Sequence, residues 1–183
     1  MPLEKNDMKR IFLIGYMGAG KTTLGKALAR RMNLSYIDTD KYIEQRYHKK
    51  ISEIFESEGE ERFRDIEHRI ILEVSEFEDV IISTGGGLPC FNSNMDVMNS
   101  LGITVYLETS VEELAVRLKA SRNVRPVLKS RSGDELIEFI KESLDKRTPF
   151  YEQAKIRFNA EQMYDDNDVG LLTGKLEAIL CNM

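Results

Sequence analysis

A basic surplus is missing from this sequence. Asp and Glu number 31 against 26 Lys and Arg, giving a formal net charge of −5 and a pI near 5.3. That balance argues against a general nucleic-acid binder, because affinity for a phosphate backbone needs clustered cations in excess. Lysines and arginines must therefore act locally. No apolar run approaches the span of a bilayer, and the stretch from Met1 to Arg10 carries no signal-peptide core, so the expectation is a cytoplasmic protein without a membrane partner. Cysteine is scarce: Cys90 and Cys181 stand far apart, in no C-x-x-C spacing and with no histidine nearby, and reduced thiols are expected rather than a disulfide or a metal site. Neither His48 nor His68 has neighbours that suggest ligation or acid–base work. Internal repeats and low-complexity tracts are absent as well. What remains is a chain of 183 residues, 42% hydrophobic and 31% charged, enough for one domain with a real core and a well-solvated surface.

Strand and helix patterns alternate along it, which predicts a parallel sheet with helices on both faces. Predicted strands are Arg10–Ile14, Ser35–Ile37, Val80–Ser83, Ile103–Leu107 and Lys155–Phe158. Predicted helices run from Thr22 to Arg31, Lys41 to Tyr47, Ile51 to Ser57, Glu60 to Phe77, Val111 to Lys119, Asp134 to Tyr151 and Asp168 to Leu180. The Glu60–Phe77 helix shows an apolar stripe at Phe63, Ile66, Ile70, Val74 and Phe77, expected to lie in the core. Ala120–Gly133 breaks the rhythm. It is basic and without periodicity, and reads as a mobile loop.

Residues Gly15 to Thr22 read G-Y-M-G-A-G-K-T, a complete G-x-x-x-x-G-K-[ST] motif between the first strand and the first helix. In that context the glycines let successive backbone N–H groups point at phosphates beside the helix's positive end, Lys21 adds a mobile charge, and Thr22 offers a hydroxyl to Mg²⁺. A nucleoside triphosphate site is the expectation. Asp38 and Asp40 follow the second strand; alternation along an extended strand end would put both on one side, facing the phosphates, where one could hold Mg²⁺ and the other an attacking hydroxyl. Helix capping alone would also explain them. Arg64 and Glu67 are three apart on a helix and can pair, so that the carboxylate orients the guanidinium, although such pairs are commonly surface salt bridges. Gly85-Gly86-Gly87 permits close backbone approach to a ligand or simply a tight turn. Arg147, before Pro149 near a helix end, would ordinarily be a solvated cation.

Order and spacing say more than each piece alone. The series G-Y-M-G-A-G-K-T-T, D-T-D, G-E-E-R-F-R-D-I-E, S-T-G-G-G, V-R-P-V-L and K-R-T-P-F-Y-E, spread from Ile11 to Ala154, resembles the shikimate kinase family. The resemblance implies an α/β fold of the P-loop NTPase class, nucleoside-monophosphate-kinase-like, with a five-stranded parallel sheet flanked by helices. It also implies a single kinase domain over residues 1–183, with a substrate-binding region at 38–68 and a lid at 120–133. The implied reaction moves the γ-phosphate of ATP to the 3-hydroxyl of shikimate, giving shikimate 3-phosphate and ADP, in chorismate and aromatic amino-acid biosynthesis.

By the same resemblance, Gly18, Ala19, Gly20, Lys21, Thr22 and Thr23 bind ATP together with Arg117 and Arg125, and Thr22 holds Mg²⁺ directly while Asp38 does so through water. Asp40 would bind the hydroxyl that is phosphorylated, and Lys21, Asp40 and Arg125 would be catalytic. Arg64 and Arg147 would grip the substrate carboxylate beside Gly85, Gly86 and Gly87, with a backbone N–H from Gly86 and with Glu67 steadying Arg64. Expected partners are the small-molecule acid alone, with no nucleic acid or membrane, and a monomer. The chain departs from the family after Phe158, where N-A-E-Q-M-Y-D-D is acidic and proline-free and the family often carries a basic or proline-containing segment beside adenine. Two other readings share the phosphate loop. A gluconate kinase would not need paired arginines, and a GTP-dependent switch would need an N-K-x-D signature that the sequence lacks.

Overall fold

Ile11 to Ile14 offers no polar alternate, the pattern of a parallel strand covered on both faces. The computed structural model, which describes residues 9–121 and 133–183, places this run at the centre of the sheet. The elements are β1 (Arg10–Ile14), α1 (Lys21–Met32), β2 (Ser35–Asp38), α2 (Thr39–Tyr47), α3 (Ile51–Val74), β3 (Val80–Ser83), α4 (Asn94–Leu101), β4 (Ile103–Glu108), α5 (Val111–Ala120), α6 (Gly133–Tyr151), β5 (Ile156–Asn159) and α7 (Asp166–Cys181). Five strands pair in parallel in the order β2-β3-β1-β4-β5. Because β1 lies between β3 and β4, the chain leaves its carboxyl end toward one side of the sheet and later returns on the other. That is the switch point at which α/β sheets open a ligand crevice.

Side-chain alternation sorts the core into two layers. Ile11, Leu13, Ile81, Val105 and Leu107 face Leu24, Leu28, Leu118, Ile140 and Leu176 on one side. Phe12, Ile14, Val80, Ile82 and Tyr106 face Ile43, Ile54, Phe63, Ile66, Ile70 and Tyr151 on the other.

Two expectations change and one element is new. Helix α3 stops at Val74, leaving Phe77 beyond its end and 45% exposed; the stripe's last member is not core because the helical period no longer applies to it. A helix over Asn94–Leu101 had no counterpart in the sequence reading. It follows two left-handed residues, Asn92 and Ser93, and buries Asn94, Met95 and Met98, so tertiary packing supports a helix in an Asn- and Ser-rich stretch of low helix propensity. Finally, Asp38 and Asp40 are not two alternate positions of one strand. Asp38 ends β2 and caps α2, accepting from the Lys41 N–H at 3.2 Å, while Asp40 lies in the first helical turn. The long α3 does break where the sequence reading broke it, at Gly59, whose φ of 81° interrupts the helix.

Candidate active site

The loop after β1 is built for an anion. Gly15, Gly18 and Gly20 all take positive φ (143°, 83° and 94°), a region costly for residues with a Cβ. Gly20 is the N-cap of α1 and supplies no side-chain acceptor, so no cap bond occupies the first-turn N–H groups. Lys21 folds back over the loop, its ammonium donating to the carbonyls of Gly15 at 2.7 Å and Tyr16 at 2.8 Å. The Thr22 hydroxyl donates to Asp38 Oδ2 at 3.3 Å. Lys21, Thr22 and Asp38 line a cavity of about 460 Å³ together with Gly18, Gly20, Thr23, Asp40, Gly85, Gly86, Arg117 and Met163. Ala19 is buried beneath it.

At its far end Arg117 is held in plane. Its Nε donates to Glu113 at 2.7 Å and one Nη to the Ala160 carbonyl at 2.7 Å, which fixes the guanidinium at the cavity wall. The Met163 methyl lies where a Cβ on Gly20 would project. The segment after Phe158, atypical in composition, thus contributes both a carbonyl that fixes Arg117 and a thioether at the cavity wall.

A second, narrower cleft shares Asp40, Gly85 and Gly86 with the first and continues to Ile51, Phe55, Phe63, Arg64, Glu67, Gly87 and Arg147. Here the glycine triplet forms a floor against which charged side chains pack closely. A Cβ at Gly85 would lie 2.5 Å from Asp40 Oδ1, one at Gly86 3.4 Å from Arg147 Nη1, and one at Gly87 2.7 Å from Arg64 Nη1. Each glycine makes room for one charged side chain. The Gly85 N–H is itself engaged by the buried Thr39 hydroxyl at 3.0 Å, which ties this turn to α2.

Arg64 is strongly positioned. Its Nη1 donates to Glu67, itself only 2% exposed, at 2.6 Å, and its Nη2 to Glu60 at 2.9 Å. Burial opposes the charge, yet the two carboxylates outweigh it and raise the pKa above the ordinary arginine value. Phe91 stacks on the guanidinium at 4.1 Å and Phe63 at 5.5 Å. Among the described residues its buried Nε has no hydrogen-bond partner. An unmet donor on a fixed fork fits a carboxylate ligand.

A family model for shikimate kinase matches residues 17–172. The chain belongs to the shikimate kinase family. It is an ATP-dependent kinase. It is 60% identical over 94% of its length to the whole of a shikimate kinase from Parabacteroides distasonis. A crystal structure of the Bacteroides thetaiotaomicron shikimate kinase superposes with a TM-score of 0.93 at 49% identity, covering 94% of this chain and 98% of that one. The Acinetobacter baumannii shikimate kinase in complex with shikimate gives 0.80 at 32% identity over 96% and 95%. A gluconokinase from Sinorhizobium meliloti, at 15% identity and 0.54, shares the fold alone.

Within this shikimate kinase frame the structure brings together the phosphate-loop residues, Asp38, Asp40, Arg117, the glycine triplet, Arg64 and Arg147. Arg125 lies outside the described residues, as does most of the 120–133 segment. Sequence reading missed Thr39, Phe91, Glu113 and Met163. Glu113 carried a signal, four residues before Arg117 on one helix face; the other three act across long sequence separations and carried none.

Proposed function

We propose that this chain transfers the γ-phosphate of ATP to the 3-hydroxyl of shikimate. The observation that supports this most directly is the run of the phosphate cavity into a cleft where Asp40 lies between the phosphate loop and two arginines. An anionic ring acid gripped at its carboxylate by Arg64 and Arg147 would place a ring hydroxyl near Asp40 and the loop.

The transition state of phosphoryl transfer is loose, so positioning and charge carry most of the catalysis. Lys21 leaves the carbonyls it holds and follows the phosphates. Asp40 accepts the hydroxyl's hydrogen bond and takes its proton late. Arg117 stacks on the base. Thr22 and Asp38 suit Mg²⁺, since a hydroxyl and a carboxylate oxygen are hard donors, and among the described residues no cluster of three acidic, His or Cys ligands competes for it; Mg²⁺ keeps waters and phosphate oxygens for the rest of its shell. When bound it would neutralise charge on the β- and γ-phosphates. Arg125 is assigned to the transferring phosphoryl group by family resemblance. We also assign the chain a single domain, a monomeric state and a cytoplasmic location. Among the described residues, no helix is long and apolar enough to cross a membrane.

The test is ADP release over a panel of hydroxy acids including shikimate, quinate and gluconate. Shikimate-dependent release well above background ATP hydrolysis is expected. Release with another acceptor and none with shikimate would sink the reading.

A further inference from the structure

None of the roles above uses Tyr151, yet it is wholly buried one turn beyond Arg147 on α6. Its hydroxyl donates to the Gly86 carbonyl at 2.6 Å. The Arg147 guanidinium stands beside the same phenol oxygen: burial raises the phenol's pKa, and the arginine partly offsets it. On its other side Arg147 lies over the Tyr16 ring at 5.3 Å, and the Tyr16 carbonyl is one of the two that Lys21 holds. A Cβ on Gly86 would come within 3.4 Å of Arg147 Nη1 and of the Gly15 carbonyl oxygen. Phosphate loop, glycine turn and arginine meet at this residue.

We infer that Tyr151 is a positioning residue for the acceptor, holding the Gly86 carbonyl and the Arg147 guanidinium in one arrangement so that the substrate carboxylate meets a preformed fork. This rests on the assignment of Arg147 to that carboxylate. Glycine backbone is otherwise free to rotate. With the Gly86 oxygen fixed, the Gly87 N–H of the same planar trans peptide is fixed in the opposite direction. The phenol cannot follow a displaced turn, because its ring is buried and packed against Tyr106 at 5.1 Å between centroids. Arranging the fork before binding removes an ordering cost that the substrate would otherwise meet.

A buried tyrosine that merely satisfies its hydroxyl predicts something different: a change in stability with kinetics intact. The experiment is Tyr151→Phe, which deletes one oxygen, measured in the full chain for kcat, both KM values and thermal midpoint. It is paired with Arg147→Ala and the double variant. The expected result is a rise of about tenfold in KM for shikimate with KM for ATP within about twofold. In the Arg147→Ala background the same deletion should cost clearly less than in the wild type, because the part of its action that runs through the guanidinium is gone and only the hold on the Gly86 carbonyl remains. An unchanged KM for shikimate, a parallel rise in both KM values, or full additivity in the double variant would each overturn the inference. Wild-type turnover separates this from the reading beneath it: a wild type that phosphorylates no shikimate removes both, whereas an active wild type with an unaffected Tyr151→Phe removes only the positioning role.

Discussion

Asp40 shows how much depends on one carboxylate. It occupies the first turn of α2, lines both the phosphate cavity and the acceptor cleft, and has a Gly85 backbone so close that no Cβ could intervene. Asparagine would keep the shape but could neither carry the charge nor accept the proton. Asp40→Asn should therefore lower kcat by a factor on the order of 10²–10⁴ while leaving nucleotide affinity near wild type. Turnover measured beside ATP titration checks this; activity within about threefold of wild type would reduce Asp40 to part of a helix terminus. The pair Asp38-x-Asp40 was legible as neighbours of the phosphate loop but not in its geometry. Spacing alone suggested one strand face, whereas the helix starts at Thr39, so Asp38 reaches the site as the cap and Asp40 from within the turn. Arg64 and Glu67 were legible as a pair, because three residues on a helix fix their meeting. Their burial was not, because Phe91 and the Gly87 backbone come from elsewhere in the chain.

At the scale of the element, the glycine turn after β3 sets Gly85 against Asp40 and Gly87, two residues on, against Arg64. None of Gly85, Gly86 and Gly87 has φ in the left-handed region, so alanine is conformationally acceptable at each and only the contact decides. Alanine at 85 would press on the Asp40 carboxylate, and alanine at 87 on the Arg64 guanidinium. Both are ends of side chains that can move, so the fold should survive while the site does not. Gly85→Ala should chiefly lower kcat, by about a hundredfold for a displacement near 1 Å. Gly87→Ala should chiefly raise KM for shikimate, by about tenfold as one charge-assisted bond is lost. Steady-state kinetics with a thermal-melt control would show it, and identical effects of the two variants would refute the division of labour. The strand, glycine loop and helix around Lys21 were readable because the signal is contained in consecutive residues. The triplet read equally well as a plain turn, since what sets it apart is three charged side chains from α2, α3 and α6 closing on it.

For the whole molecule, the two core layers place several weak acids in apolar surroundings. Burial pushes the Cys90 thiol from its ordinary 9.0 to about 11, and burial likewise raises the phenols of Tyr36, Tyr106 and Tyr151 above 10.0. In the unfolded chain these groups release protons at their ordinary values; in the native state they hold them to higher pH. Between those limits the native state binds more protons, so stability falls as pH rises. Their contribution is complete below about pH 9 and is lost progressively through the folded-state values. Arg64 does not oppose this, because its guanidinium is charged in both states throughout that range. Urea midpoints should accordingly hold level up to about pH 9 and decline steadily towards about pH 11. Cys90→Ala removes one of the titrating groups and should flatten the first part of that decline. A midpoint that stayed constant across the alkaline range, or a decline that Cys90→Ala left unchanged, would mean that the buried acids ionise in the native state without hindrance.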